Sequence, residues 1–406
     1  MAMYFALVWR NLWRNRNRTL ITAASVFFAV ILVLFMRSMQ LGTYAHIIDS
    51  TVRLSTGYLQ IQDKGYWEKK SIDNTFEMDP DLQKTIGLVP HVTRTVPRFE
   101  GYALASSGNK SRVVFIEGIE PEKEDKMSGL KRYLKMGSFL SSNSNGALPG
   151  SKLMEALSMN LGDSLTVLGQ GFHGISAAGA FPTTGIMHLP IPEMDSRTVF
   201  MSVKRAQDLF AAPKRLTAIA LMIDDPGEMH SIKNSLMQLL PENLVVKDWQ
   251  EMMPELVQSI ELDNSGGLIM LGILYMVIAF GVFGTAMMMA AERRREFAVL
   301  VSVGMKRVKM MWVVLLETVV IGLIGAAAGA AASIPLLLYF HAHPIHLSGE
   351  GAEAMLQYGF EPIMAFSLTA GMFARQAIVV AMISILSCVY PIWSIGRFKV
   401  VDILRA

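Results

Sequence analysis

The chain has 406 residues, of which 52% are hydrophobic and 17% charged, with a formal net charge of +3. Its apolar runs are confined to the first tenth and the last third, which indicates a membrane protein with a large water-soluble part. The single cysteine, Cys388, excludes an intrachain disulfide, and we expect no nucleic-acid partner.

Four apolar runs are long enough to cross a hydrocarbon core of about 30 Å at about 1.5 Å per residue. They cover residues 19–36, 265–291, 310–340 and 376–396. The first run could be a cleavable signal sequence, but it is long and no small-x-small site follows it, so we interpret it as a retained anchor. The sequence therefore predicts four transmembrane helices.

Lysine and arginine counts beside the runs predict the orientation. Basic residues cluster before the first run, between the second and third, and after the fourth, where Arg397, Lys399 and Arg405 lie. The loop at residues 341–376 carries only Arg375, against three glutamates. Both termini and the middle loop are thus predicted to be cytoplasmic, with residues 41–264 outside.

The outer segment is predicted to be α+β and large enough for two small domains. Strand-like segments cover residues 57–62, 112–119, 163–168, 197–203 and 216–223. Amphipathic helical segments cover residues 152–159, 203–210, 228–240 and 249–260. Residues 169–195, rich in Gly and Pro, are expected to form a long loop or hairpin.

The middle loop, residues 292–309, carries six Lys or Arg residues. Phe297, Leu300, Val301 and Gly304 share one helical face, which predicts a short cytoplasmic helix that docks against a partner. The alternative is a solvated basic loop that satisfies the positive-inside rule without a partner. The predicted docking residues are Glu292, Arg293, Arg295, Glu296, Phe297, Leu300, Val301 and Gly304.

The sequence contains few patterns that resemble catalytic or ligand-binding motifs. The sequence contains no G-x-x-x-x-G-K-[ST] loop, and the glycines at 169, 171 and 174 are not followed by a helix with a suitably placed acid, so a glycine loop is favoured over a dinucleotide site. The histidines at 341, 343 and 346 could hold a metal, but Pro344 interrupts their spacing and an interfacial turn is favoured. No catalytic residue and no metal site are predicted.

Two features lie within the third run. An ionised Glu317 facing lipid at the bilayer centre would cost about 3 kcal/mol, so it should face a partner helix, water or the cytoplasmic interface. Gly325 and Gly329 form a G-x-x-x-G motif, which lets another helix approach closely, either within the bundle or between subunits.

The chain resembles the FtsX-like permeases of ABC transporters, the family that includes the lipoprotein-releasing permeases and the membrane half of the macrolide exporters. The resemblance covers nearly the whole chain. The resemblance rests on residues 9–15 (WRNLWRN), 57–61 (GYLQI), 249–256 (WQEMMPEL), 292–297 (ERRREF) with Gly304, Glu317 with its glycines, and 390–393 (YPIW).

The resemblance implies a fold with four transmembrane helices and a large α+β extracytoplasmic domain inserted between helices 1 and 2. Its implied parts are residues 1–40, the extracytoplasmic domain at 41–264, and three further helices at 265–406. The family resemblance also implies a multi-pass protein of the inner membrane that has no ATPase site and binds no cofactor itself. A separate ABC ATPase subunit, using ATP and Mg²⁺, would bind the middle loop, and a second permease copy or paralogue would complete the complex.

Three functions remain open. The favoured one is export or extraction of lipoproteins or other amphipathic substrates, with a periplasmic carrier as a further partner. The others are efflux of small molecules or peptides, and transmembrane signalling to a cell-wall enzyme. For the first, an adaptable apolar slot is expected at the outer end of the first two spans, where a lipid-anchored substrate would enter sideways. Membrane lipids are a further expected partner. The expected slot residues are Val33, Met36, Met39, Gln40, Leu268 and Leu271.

Overall fold

The computed structural model describes residue 10, residues 13–14, 16–357 and 360–397. Part of the motif at residues 9–15, and the tail residues Lys399 and Arg405, lie outside the described residues. The chain divides into a helical unit (residues 1–45, 260–346 and 363–406) and an α+β unit (residues 46–259 and 347–362).

The described part of the chain contains fourteen α-helices, three short 3-10 helices and fifteen strands. The helices are α1 (Arg16–Leu54), α2 (Tyr66–Lys69), α3 (Pro80–Gly87), α4 (Pro121–Ser128), α5 (Ser151–Leu157), α6 (Pro192–Arg197), α7 (Val203–Leu209), α8 (Met229–Leu239), α9 (Trp249–Met252), α10 (Pro254–Glu292), α11 (Arg294–Ser302), α12 (Arg307–Ala342), α13 (Glu350–Gln357) and α14 (Ala370–Arg397).

The strands are β1 (Leu59–Asp63), β2 (Phe76–Glu77), β3 (Val92–Ser107), β4 (Lys110–Ile119), β5 (Leu134–Gly137), β6 (Leu148–Pro149), β7 (Ser164–Gln170), β8 (Ser176–Pro182), β9 (Gly185–Met187), β10 (Thr198–Ser202), β11 (Arg215–Leu216), β12 (Ala218–Ile223), β13 (Leu244–Asp248), β14 (Ile345–His346) and β15 (Ile363–Met364).

Four helices of the described chain are long and apolar enough to span a membrane, namely α1, α10, α12 and α14. Their shared core contains Val26, Val30, Leu34, Ile278, Val282, Ala326, Leu337, Phe366, Met372 and Val380. Helix α12 is the most enclosed, with half of its apolar stretch buried, whereas most of α10's apolar stretch is exposed on the protein surface. An apolar surface of that extent requires lipid or another protein to cover it.

Both glycines of the G-x-x-x-G motif face α1. A Cβ added to Gly325 would lie 2.6 Å from the carbonyl oxygen of Ala23, and one added to Gly329 would lie 2.7 Å from that of Phe27. Distances that short are not tolerated, so the two helices approach closely only because these positions lack side chains. The close packing therefore lies within one chain.

The α+β unit is built on a nine-stranded sheet. Its main strand order is β13-β1-β12-β3-β4-β10-β6. Strand β7 also pairs with β3, and β8 pairs with β7. All its pairings are antiparallel except β10 with β4. The five predicted strands are present as β1, β4, β7, β10 and β12. The segment predicted as a loop or hairpin forms the β7–β8 hairpin, followed by β9.

Two predictions in this unit were incomplete. The 16-residue strand β3 was missed because its sequence contains Pro97 and Gly101, and both residue types are depleted in strands. The helix predicted over residues 249–260 is broken at Met253, since a proline follows and disfavours helical geometry at the preceding residue. Its second part belongs to the long helix α10.

Helices α1 and α10 both connect to the same end of adjacent strands. Strand β1 starts after α1, β13 ends directly before α9, and Leu59 pairs with Asp248 where the two strands meet. Gly57 makes the turn between α1 and β1 at φ +73°, and a Cβ there would lie 2.9 Å from the carbonyl oxygen of Leu221. The backbone N–H of Trp249 donates to the carbonyl oxygen of Tyr58 at 3.1 Å.

A buried arginine fastens the end of α1 to the sheet. Arg98 on β3 donates from Nη1 to the carbonyl oxygen of Ser55, immediately after α1. It also pairs with Glu124 of α4 through Nε at 3.0 Å and Nη2 at 2.6 Å, and its Nε lies 3.3 Å from Glu117 of β4. Burial, opposed by Arg98 and reinforced by the negative charge of Glu124, raises the pKa of Glu117 to about 8.

We predict that Arg98→Met strongly destabilises the α+β unit. The change leaves two buried acids without their cation and a helix-terminal carbonyl without its donor, a loss of about 3–5 kcal/mol. Urea unfolding of the full chain in detergent, followed by tryptophan fluorescence, measures the effect. The matched control is Arg112→Met on β4, which removes an exposed arginine and should change stability by about 0.5 kcal/mol or less. Equal unfolding midpoints for the two variants would contradict the anchoring role.

We also predict that the double substitution Gly325→Leu and Gly329→Leu lowers the midpoint of thermal unfolding in detergent. Overpacking of this kind costs about 1–3 kcal/mol. The control is Gly281→Leu with Gly284→Leu on α10, where no atom lies within 4 Å of an added Cβ. If the double variant at 325 and 329 has the same unfolding midpoint as the control, the packing of α1 against α12 does not need this close approach.

Candidate functional site

The basic middle loop folds as a helix with a defined end. Helix α11 stops at Ser302, and Gly304 follows at φ +98°. The N–H of Gly304 donates to the carbonyl oxygen of Val301, and that of Met305 donates to Leu300, both at 3.0 Å. This is a Schellman motif, which requires a residue such as glycine at the left-handed position. Gly304 therefore terminates the helix.

The predicted docking face is divided between two environments. Phe297 is 2% exposed and packs with Ala290, Met310, Val314 and Ile395, with Val301 against the same cluster. Leu300 is exposed, and so are Val299 and Val303, which were not among the predicted residues. Phe297 is therefore not available to a partner on this surface, and Val301 is partly buried. The exposed apolar face of α11 and the turn that follows it consists of Val299, Leu300 and Val303.

A chain of ion pairs holds α11 in place. Arg14 donates from Nη2 to both carboxylate oxygens of Glu296 at 2.7 Å. Arg293 donates from Nε to Glu296 at 3.1 Å and from Nη1 to Glu317 at 2.8 Å. Glu317, predicted to face a partner helix, water or the interface, is buried against this arginine. The network ties the segment before α1 to α11 and α12.

The predicted docking residues Arg293 and Glu296 thus have partners within the chain. Although partial burial acts to raise the pKa of Glu296, the hydrogen bonds from Arg14 and Arg293 outweigh it and hold that pKa below its usual range. Glu292, the last residue of α10, and Arg295, in the first turn of α11, are exposed. Arg293 is only 8% exposed, so it positions α11 rather than presenting charge to a partner.

A cavity of about 490 Å³ lies between α1, α10 and α14 within the helical unit. Its apolar wall comprises Val33, Leu34, Leu41, Leu268, Leu271, Met372 and Val379, and its polar groups come from Arg37, Tyr275, Thr369, Arg375 and Gln376. Ligand pockets in proteins commonly have volumes of about 300–1,000 Å³ and a mainly apolar lining with a few polar groups. This cavity has both properties.

Three of the six predicted slot residues line this cavity: Val33, Leu268 and Leu271. Met36 and Met39 do not line it, and Met39 packs against the core of the helical unit. Gln40 is engaged elsewhere, since its Nε2 donates to Tyr44 at 2.8 Å. Residues within one helical turn point to different faces of the helix. Proximity to Val33 in sequence was therefore not sufficient to predict which residues line the cavity.

The sequence prediction missed the wall contributed by the fourth span. Gln376 on α14 accepts a hydrogen bond from the Tyr275 hydroxyl on α10 at 2.7 Å, which links the two helices across the cavity. The available signal was a glutamine beside an arginine at the start of an otherwise uncharged run, because polar groups at such positions are costly unless they have a role.

The other candidate motifs have structural roles. His341 bonds the carbonyl oxygen of Phe366 at 2.6 Å, and His343 stacks on Tyr339. Within residues 16–357 and 360–397 no cluster of three or more His, Cys, Asp or Glu side chains could hold a metal ion. The three glycines at 169, 171 and 174 lie at the end of β7 and in the turn of the β7–β8 hairpin.

Two family models match the chain. The MacB-like periplasmic core domain matches residues 19–239, and the FtsX-like permease C-terminal region matches residues 268–400. Together they cover the four apolar helices and most of the α+β unit.

Individual relatives are more distant. The chain is 22% identical over 340 residues to the lipoprotein-releasing system transmembrane protein LolC of Xylella fastidiosa, covering 80% of this chain and 81% of that protein. It is 23% identical over 232 residues to LolE of Haemophilus influenzae, covering 55% of each chain. The periplasmic region of MacB from Actinobacillus actinomycetemcomitans aligns with 53% of this chain and 97% of that structure, at 17% identity and a TM-score of 0.37.

The matched regions, the four apolar helices and the α+β unit between the first two lead to one conclusion: this multi-pass membrane protein belongs to the FtsX-like family of ABC transporter permeases and carries a MacB-like periplasmic core domain.

Proposed function

We propose that this permease extracts or exports lipid-anchored or other amphipathic substrates from the inner membrane, driven by ATP hydrolysis in a separate subunit. The observation that carries the proposal is the cavity between α1, α10 and α14. Its largely apolar wall suits acyl chains, each CH₂ of which contributes about 0.8 kcal/mol when it leaves water. A hydrophilic substrate would gain nothing from such a wall.

Similarity to relatives supports the same substrate class. Two relatives, from different bacteria, are named as lipoprotein-releasing system proteins, and one of them aligns with four-fifths of this chain. At identities of 22–23% this similarity favours a lipidated substrate without defining it. A periplasmic carrier that receives the substrate is part of the proposal.

The ATPase would bind the exposed apolar face formed by Val299, Leu300 and Val303. These three valine and leucine side chains are 50%, 42% and 83% exposed, beside the basic residues of the loop. The ion-pair chain through Arg293 would then pass movement of α11 to α12, because Glu317 lies within α12. This arrangement requires both termini and α11 to be cytoplasmic and the α+β unit to be periplasmic, as the basic residues beside the spans predict.

A complex of two permeases and two ATPases fits the exposed surface of α10. Large apolar side chains on this helix, among them Ile269, Ile273, Val277 and Phe280, are more than half exposed. A second permease copy or a paralogue would cover part of that surface, and membrane lipids the remainder. The permease itself would bind neither ATP nor Mg²⁺.

We predict that Leu300→Asp with Val303→Asp weakens ATPase binding by about 30-fold or more, because two charges would be placed in an apolar contact at a cost of at least about 2 kcal/mol. Co-purification of the ATPase with the tagged permease from its native membrane measures this. The control, Leu88→Asp with Val113→Asp, introduces the same two charges at exposed positions of the α+β unit, outside the loop. Wild-type recovery of the ATPase with the double variant would rule out this face as the dock.

We predict that a photocrosslinker at Leu268 captures acylated protein in the nucleotide-free complex. The matched position is Ile269, which is more exposed but does not line the cavity. Preferential capture at Leu268 supports entry of a lipidated substrate, since only that side chain faces the cavity. Labelling of bulk lipid alone at both positions contradicts extraction, and specific capture of a non-acylated peptide at Leu268 would favour efflux instead.

A further inference from the structure

The cavity between α1, α10 and α14 carries a positive charge. Arg37 and Arg375 line it, and none of its lining residues is acidic. Arg37 uses Nη1 to donate to Gln40 at 2.6 Å and to Asn264 at 2.7 Å, both neutral partners. Neither partner is a carboxylate, and neither Arg37 nor Arg375 forms an ion pair with another described residue, since Asp263 contacts Gln40 and Tyr44 instead. An anion entering this cavity therefore meets two positive charges.

A buried amide in the same cavity lacks a partner. Gln376 is 5% exposed, and its Oε1 accepts from the Tyr275 hydroxyl. Its Nε2 is buried and has no hydrogen-bond partner among the described residues. An unsatisfied buried donor destabilises the protein, and a ligand oxygen at this position would remove that cost. A polar group held at this cost at the edge of an apolar cavity indicates a binding role.

We propose that this cavity binds an anionic phospholipid, with the phosphate held by Arg37, Arg375 and the Gln376 amide and the acyl chains against the leucine and valine wall. The guanidinium groups and the Nε2 group of Gln376 only donate hydrogen bonds, which matches the acceptor oxygens of a phosphodiester. The apolar wall formed by Val33, Leu271 and Val379 accepts the start of the chains.

The charge of the lining selects among possible lipids. A zwitterionic headgroup would bring an ammonium toward the two arginines, and the ester groups of an acylated protein carry no charge to offset them. A headgroup with a net negative charge, such as phosphatidylglycerol, matches the lining best. The inference uses the cavity of the proposed function but not its substrate, so a resident phospholipid is expected even if the transported molecule is not a lipoprotein.

The test uses the full-length permease in nanodiscs that contain photoactivatable phosphatidylglycerol or phosphatidylcholine with identical chains. Crosslinks are mapped to peptides from α1, α10 and α14 that line the cavity. We expect phosphatidylglycerol to label these peptides about tenfold more than phosphatidylcholine. Equal labelling by the two lipids would overturn the proposal.

Variants assign the preference to particular side chains. Arg375→Gln and the nearly isosteric Gln376→Glu should each reduce the labelling ratio several-fold, whereas Arg375→Lys should retain it. Lys309→Gln removes a positive charge from an exposed position outside the cavity and should leave the ratio unchanged. A preference that survives both Arg375→Gln and Gln376→Glu would show that these groups do not hold the phosphate.

Inorganic phosphate distinguishes a lipid site from a simple anion site. We expect millimolar phosphate to leave labelling by phosphatidylglycerol nearly unchanged, because it gains no apolar burial. Full competition by free phosphate would contradict a lipid ligand. These outcomes do not depend on the crosslinking of acylated protein at Leu268, so the lipid site and the extraction function can fail separately.

Discussion

The contact between Arg98 and the end of α1 is the constraint on which the α+β unit depends. Arg98 occupies the middle of the sheet, donates to the carbonyl of Ser55 and is buried between two glutamates. A buried guanidinium can remain there only while those partners hold their positions, so the helix end and the sheet are fixed to each other. Helix α9, directly before α10, begins beside the same strand pair, where the N–H of Trp249 donates to the carbonyl oxygen of Tyr58.

A second set of ion pairs, at the middle loop, fixes helix α11 to its neighbours. Arg293 links α11 to α12 through Glu317, and Glu296 links α11 to the residues before α1 through Arg14. These pairs differ in exposure, since Arg293 and Glu317 are buried whereas Arg14 and Glu296 are not. The buried pair would cost several kcal/mol to break, so a force applied to α11 is expected to move α12 before it separates them.

The cavity combines the two properties that the proposed transport of amphipathic molecules would require. Its apolar wall is contributed by α1, α10 and α14, so any movement among these helices changes its volume and its affinity. The arginines and the unpartnered amide give the same cavity a preference for one end of a ligand. Under the proposed function, differential affinity between two conformations would allow ATP hydrolysis in a separate subunit to act on a bound molecule.

The sequence by itself determined the four spans, the five strands with regular alternation and the family, because hydrophobic runs, periodicity and short motifs are local properties. It also located α11, Glu317 and the close-packing glycines. Only the tertiary structure decided that Phe297 turns inward while Leu300 faces outward, that Gln376 and Arg375 complete the cavity begun by Val33, and that Arg98 meets Ser55. Each of these depends on contacts between residues far apart in the chain, which no local pattern encodes.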